Sequence, residues 1–557
     1  MKKSRLCWPL ALLMSAAVFA ALFFTVGFRF AANDDAAILR SFMGWETGRP
    51  PQFHPYLHGL LTGALRALFA ISATTHWFSW MQLAFLFLSL TVIAKAVMQL
   101  FARHDHEFLR EGGALVAFVV TACLGAGGVA RFTFTQTAAL LGAAAVAQMM
   151  SVDVKHVSNV GVCLRLLGAA ALLVLAYALR QQALLPLLAF CALAFLWLCL
   201  QKPTARRGLG CALCLTAVLL GGMALWRSAE IAASGEAEYL RWQQANSAVM
   251  DYDGLNGFTK EALASTGWSD NTIRLITSQW FFLDKSISSQ AFEALETQRP
   301  AVSAFARVLP TLSAFAAENR VTLVFAGLAL AWLLLCLAGA ARGGCGHLAR
   351  LVVPVFTLLL SAAMLFYLAM QGRLPLRAAV MVLWPMAVLS VCLLPVCVSP
   401  AALRCALGVS LAAAAVYLSL LLPPLRPVAE EETIDAMAEV YEYALDEPDM
   451  LFLCDRTMMD DFNPFPDYSR GIPHNIAWYG GWTLRSRESC AQFAAFDIDL
   501  WQFDAEVFLR EDVCLATQVL DPPPQLLLNY IAEMTGYEDV DCSLYGESGY
   551  VYYYQFQ

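Results

Sequence analysis

Two carboxylates stand side by side in Asn33-Asp34-Asp35, just after an apolar run over residues 8–28, which puts paired acid chemistry at the edge of a membrane. The same Asn-Asp step is a good helix start and could cap a helix over 36–42. Four arginines sit in short turns between apolar runs: Arg131 within 127–133, Arg180 within 177–182, and Arg373 with Arg377 within 371–377. A guanidinium is a planar fork of donors that matches a phosphate or diphosphate bidentately. Any one of them could equally contact lipid phosphates or pair with a loop acid; four together favour a shared anionic ligand. His54 and His58 are acceptor or loop candidates, four apart and able to face one side of a helix. With no third metal ligand near them, interfacial packing is the simpler use. Asp251-Tyr252-Asp253-Gly254 reads as a turn as much as a metal loop and lacks EF-hand spacing. Trp268, Trp280, Trp478 and Trp482 could stack on sugars, although core packing is the commoner use of such residues.

These groups need elements to hold them. The chain is 59% hydrophobic and 14% charged, with a mean hydropathy of +0.58, far from a soluble domain. Runs long enough to cross lie at 8–28, 77–101, 112–130, 132–150, 162–179, 183–200, 208–226, 322–341, 351–370, 378–398 and 402–422, about eleven spans. The basic flank Lys2, Lys3 and Arg5 keeps the amino terminus cytoplasmic, and the first run is too long for a signal peptide. Residues 55–71 are apolar but short and carry His58 and Arg66, which predicts an interfacial or re-entrant helix. With that segment not crossing, the loops bearing Arg103 and Arg110, Lys155, Lys202 with Arg206 and Arg207, and Arg342 with Arg350 all fall inside. Asp34 and the four turn arginines then fall outside. No Asp or Glu lies within these runs, which argues against an ion-coupled transporter.

The expected organisation is a polytopic α-helical membrane domain over 1–423, with outer loops at 29–76 and 227–321, and a small extracytoplasmic α/β domain over 424–557. The tail holds 26 acidic residues against six arginines and no lysine, about −20 in a chain whose total is −8. Such a segment is soluble and a poor partner for nucleic acid. Its pattern predicts a helix at 430–444, a strand at 450–454 and a Pro/Gly-rich loop at 463–481. A strand near 507–510, a helix near 525–534 and aromatic strands closing at 550–556 complete it. Cys454, Cys490, Cys514 and Cys542 are an even set on the outer side, which predicts at least one disulfide. No CxxC pair has a second at zinc-site spacing.

The order of first span, Asn33-Asp34-Asp35, Thr47-Gly48-Arg49-Pro50 and His54-Pro55-Tyr56-Leu57 resembles the first outer loop of GT-C membrane glycosyltransferases that use polyprenyl-phosphate sugars. Protein mannosyltransferases and lipid A aminoarabinose transferases are examples. Asp251-Tyr252, Gly372-Arg373-Leu374-Pro375-x-Arg377 and Gly480-Gly481-Trp482 look like a bacterial branch of such proteins. The chain departs at Ile38, where an aromatic is usual, at Asp35, where Glu is common, and at His-Pro-Tyr-Leu in place of Pro-Pro-Leu. The resemblance implies a GT-C-like fold and an inverting transfer from a polyprenyl-phosphate-linked sugar to an envelope glycan, lipid or protein at the outer face of the cell membrane. It implies Asp34 as general base, Asp35 orienting the acceptor or a divalent cation, and Arg131, Arg180, Arg373 and Arg377 on the leaving phosphate. The competing expectation is a noncatalytic envelope protein or a lipid or polysaccharide transporter on the same scaffold.

Overall fold

The computed structural model describes residues 6–103, 107–201, 204–252, 254–300, 303–342, 348–425, 436–458, 462–519 and 524–557. The first helix α1 (Cys7–Val26) leads through a two-residue strand β1 (Arg29–Phe30) into α2 (Asn33–Met43) and α3 (Gly59–Ile71). Then follow α4 (Trp77–Phe101), α5 (Glu107–Gly128), β2 (Arg131–Phe132), α6 (Phe134–Met150), α7 (Asn159–Leu179), α8 (Leu184–Leu200) and α9 (Arg206–Ser234). The large loop folds into α10 (Ala237–Met250), α11 (Lys260–Ala264), α12 (Asp270–Gln279), α13 (Ser289–Thr297) and α14 (Ala304–Glu318). The chain returns to the bundle as α15 (Arg320–Arg342), α16 (Leu348–Met370), α17 (Leu376–Cys397) and α18 (Pro400–Leu425).

Among the described residues nine helices are long and apolar enough to cross a membrane, so the chain is a polytopic membrane protein. Two more of the expected runs, Gly112–Gly128 and Phe134–Met150, are shorter apolar helices. Helix α6 is buried along nearly its whole length and packs against the equally buried α17, so these two form the centre of the bundle. Helix α3 has 13 residues, about 20 Å of rise, too short for a hydrocarbon core of roughly 30 Å. It starts where His58 caps it, Nδ1 accepting from the Leu60 amide at 3.0 Å.

The bundle has two poles. At one, Thr204 donates to the Val154 carbonyl at 3.2 Å, Asn159 accepts from the Gly208 amide at 2.8 Å, and Arg103 donates to the Ser151 carbonyl, which gathers the basic loop positions Arg103, Lys155 and Arg206. Lys202 lies outside the described residues. At the other pole, β1 and β2 pair in parallel, with Arg29 opposite Arg131 and Phe30 opposite Phe132. The tail docks there: Ser79 Oγ donates to the Pro464 carbonyl at 2.7 Å, His76 Nε2 to that of Pro466 at 2.7 Å, and the Phe30 amide to that of Phe462 at 2.8 Å.

The tail forms α19 (Ala436–Asp446), β3 (Leu451–Cys454), β4 (Ile476–Trp478), α20 (Arg487–Ala494), β5 (Val513–Thr517), α21 (Gln525–Thr535), β6 (Cys542–Ser548) and β7 (Val551–Phe556). Residues 430–435 of the expected first helix lie outside the described residues. Sheet order is β4-β3-β5-β7-β6, with β3 parallel to both neighbours and β7 antiparallel to β5 and β6. Alternation along the strands splits the sheet into two buried faces. Phe452, Cys454, Cys514 and Tyr553 pack with α19 and the bundle, whereas Leu451, Leu453, Leu515 and Phe556 share a second core with Trp242, Phe281 and Phe292 of the large loop.

Two expectations for the tail fail. The strand expected at 507–510 is a 3-10 turn over Ala505–Leu509, opened by Asp504 accepting from the Glu506 amide at 3.2 Å, and the strand comes six residues later at Val513. The expected disulfide is also absent: all four tail cysteines are free. Cys454 and Cys514 lie on paired strands, but Cys454 is opposite Ala516 and Cys514 opposite Phe452. Strands roughly 4.8 Å apart and a two-residue offset of roughly 6.6 Å put the two about 8 Å apart, beyond disulfide reach. Alkylation of denatured, unreduced protein is expected to label all four thiols; recovery of a bridged peptide by mass spectrometry would contradict this.

Candidate functional site

Helix α2 opens at Ala32 without any side-chain cap, so neither Asn33 nor Asp34 is spent in closing it. Asp34 lies in the first turn, where the partial positive charge of the helix start favours a carboxylate. Its side chain points into a cavity of about 360 Å³ where the bundle, the large loop and the tail meet. Arg180, Arg373 and Arg377 line the same cavity. Arg377 Nη1 donates to Asp34 Oδ2 at 2.8 Å, tying α17 to α2. Arg373 Nη1 pairs with Asp251 Oδ1 at 2.8 Å, tying the turn before α17 to the end of α10. Gly372 permits that turn, since its φ of +81° lies in the left-handed region. Arg180 follows α7 and lays its guanidinium over the rings of Tyr56 at 5.0 Å and Phe134 at 5.1 Å. Burial lowers its pKa.

The opposite wall is aromatic. Trp478 ends β4, and Gly480, Gly481 and Trp482 follow it into the cavity, where Trp280 and Phe282 meet them from the large loop. A side chain at Gly480 would collide with the Trp280 carbonyl, so the close approach requires glycine. Trp280 itself is left-handed, with φ 56°, a conformation that costs a non-glycine residue roughly 1–3 kcal/mol and tends to persist at functional sites. Arg40, from the last turn of α2, sits 4.6 Å over Trp478.

No family model, curated protein or solved structure matches this chain. A carboxylate open to a cavity can take a proton, and the arginines beside it can hold a phosphate.

Other sequence candidates stand apart. Arg131 does not line the cavity: it is exposed beside Arg29, with Nη2 3.5 Å from the Pro424 carbonyl. Its turn is fixed by the β1–β2 pairing rather than by the turn that carries Arg373 and Arg377. Asp35 is fully buried and faces the bundle, where Oδ1 accepts from Gln82 Nε2 at 2.9 Å and from the Phe134 amide at 2.8 Å. It clamps α2 to α4 and α6 and does not line the cavity. His54 is buried against Phe42 and Trp482, with Nδ1 accepting from the Tyr56 and Leu57 amides, and burial takes its pKa down to about 3. His58 caps α3 and its Nε2 meets the Met223 carbonyl at 2.9 Å. Trp268 donates to the Ser286 carbonyl in the second core, away from the cavity.

Metal chemistry does not fit the acidic pair, because Asp34 and Asp35 point to different environments and share no chelating edge. Among the described residues no group of three metal-ligating side chains converges, and Asp253 lies outside them. Sequence reasoning missed Arg40 and the partners from α10, Gln243 and Asn246; Gln243 Nε2 donates to Tyr56 Oη at 2.8 Å. Nothing in their local patterns marks them.

Burial pushes the Asp35 carboxyl up to about 8 from the ordinary 3.8. Between those values the folded chain keeps a proton that the unfolded chain releases, so this group's contribution to stability falls as pH rises across the window. Asp35→Asn keeps the shape and cannot titrate, and it is expected to flatten that fall. Melting curves at about pH 5 and about pH 8 read it directly. An unchanged slope in the variant would show that Asp35 is not the group responsible.

Proposed function

We propose that the chain is a membrane glycosyltransferase that moves a sugar from a polyprenyl-phosphate donor to an envelope glycan, lipid or protein at the outer face of the cell membrane. The observation that supports this reading is that Asp34 and three arginines, Arg180, Arg373 and Arg377, line one cavity beside the bundle. In the proposed reaction the acceptor hydroxyl or amine attacks the anomeric carbon and gives its proton to Asp34. The bond from that carbon to the phosphate oxygen breaks, and the electron pair leaves on a phosphate held by the arginines. Attack opposite the leaving phosphate inverts the anomeric centre.

The Asp34–Arg377 pair sets a condition on this chemistry. While Arg377 holds Asp34, one carboxylate oxygen is occupied; an arriving phosphate competes for the same guanidinium and frees it. A divalent cation would likewise need Asp34 and Asp251 released from their arginines. The arginine lining equally fits the alternative, a noncatalytic envelope protein that binds lipid phosphates without turnover. Incubating purified protein with radiolabelled polyprenyl-phosphate sugars and envelope extracts, then separating lipid from product, decides between the two. Label that stays wholly in the lipid fraction across several donors and acceptors would leave the binding protein as the better reading.

The proposed orientation has the amino terminus cytoplasmic and the cavity outside, because the basic loops gather at the opposite pole. A single thiol introduced at Lys155, in an otherwise unreactive background, is expected to resist an impermeant reagent in intact cells. Reaction there would invert the orientation.

A further inference from the structure

The charged wall of the cavity accounts for a base and a phosphate, but gives no use to the indoles facing it. Trp280, Trp478 and Trp482 reach the same hollow from two separate chain segments, and the tight Gly480 approach holds those segments together. Among the lining residues, the indole Nε1 of Trp482, a donor, and Oδ1 of Asn246, an acceptor, are buried with no hydrogen-bond partner, as is Nε of Arg180 on the charged wall. Once either side chain turns toward the cavity a hydroxyl satisfies it, because a hydroxyl both accepts and donates. A phosphate oxygen would serve only the first and an ammonium only the second. Flat apolar faces next to groups that want hydroxyls are the surface that a neutral sugar ring presents a match to, with its C–H face on an indole and its hydroxyls at the edge.

We propose that Trp280, Trp478 and Trp482, with Asn246, form a subsite for a neutral sugar ring in this cavity. It rests on the transferase reading, which supplies the phosphate position beside it, but its test needs no turnover. The ring could be the one carried by the donor lipid or one belonging to a glycan acceptor; the chemistry is shared, and the two sources separate in the experiment.

Ligand-observed saturation-transfer NMR on the purified full-length protein would use methyl mannoside and methyl glucoside as probes, with a serine-containing tripeptide amide for comparison. Saturation transfer to the ring protons of at least one glycoside is expected, and little to the peptide. Trp478→Leu and Trp482→Leu should each weaken glycoside binding by roughly 2- to 10-fold. If a leucine variant does not fold, Trp482→Phe takes its place: it keeps a ring, loses the indole N–H and should bind more weakly than wild type. A polyprenyl phosphate without sugar should leave the glycoside signal in place. Displacement by the same lipid carrying a hexose marks the donor's sugar position, and persistence in its presence marks the acceptor's. No transfer to either glycoside in the wild type, or equal transfer in folded tryptophan variants, overturns the subsite. Failure of the polyprenyl phosphate itself to bind would instead count against the transferase reading, with the sugar signal standing.

Discussion

Asp34→Asn is expected to lower turnover by about 100-fold or more while leaving donor binding at or above the wild-type level. The amide keeps the size of the side chain and one acceptor oxygen, but it cannot take a proton from the attacking group. Folding should be little affected, because α2 begins at Ala32 without using the Asp34 side chain as a cap and the side chains of the Arg377–Asp34 pair are 33% and 27% exposed. The substitution also removes the carboxylate charge that holds Arg377, which frees that guanidinium for phosphate. A fall in kcat with a flat or reduced KM for the lipid donor is therefore the signature to look for. Near-normal turnover in a preparation shown to be active would remove Asp34 from the chemistry and leave it as one half of an ion pair between α2 and α17.

The asymmetry between Asp34 and its neighbour marks the limit of what a linear sequence conveys. Successive side chains on a helix are about 100° apart, so adjacency along the chain becomes divergence in space. Asp34 faces the cavity and Asp35 the Gln82 amide of α4. The membrane helices were legible because crossing a bilayer demands a long apolar run, and the run is local. Turn arginines were legible as a group for the same reason, but Arg131 looked like Arg180 until the pairing of β1 with β2 separated them. Helix α6 shows the reverse case, since a 17-residue segment lies buried at the centre of the bundle where length alone is a weak signal. Strand β4 was hidden because its three residues lie inside a Pro/Gly-rich stretch and form only against β3. That strand delivers Trp478 and the glycines after it to the cavity. The tail's part in the site is thus a tertiary fact, as are the contributions of Arg40 and Asn246.

Arg373→Ala is the complementary change, and it is expected to weaken donor binding by about 10- to 100-fold with a smaller effect on kcat. A charge-assisted hydrogen bond contributes roughly 1.5–3 kcal/mol, which spans that range when converted to affinity. The present partner of Arg373 is Asp251, and their side chains are 36% and 48% exposed, so the pair should contribute little to stability in its own right. Loss of donor affinity would then be read without a folding defect, with the melting transition as control. Arg373→Lys should fall between, because an ammonium keeps the charge but lacks the planar fork. Equilibrium binding of a radiolabelled polyprenyl phosphate measures the loss, and single-turnover rates at saturating donor measure what remains of the chemistry. Asp34→Asn and Arg373→Ala act on different steps, so their defects should separate cleanly, one in the rate and one in the affinity. Donor affinity within about twofold of wild type in Arg373→Ala would take this residue out of the phosphate site. Its bond to Asp251 would then be a clasp between α10 and the turn before α17, and Arg180 and Arg377 would be left to carry the phosphate.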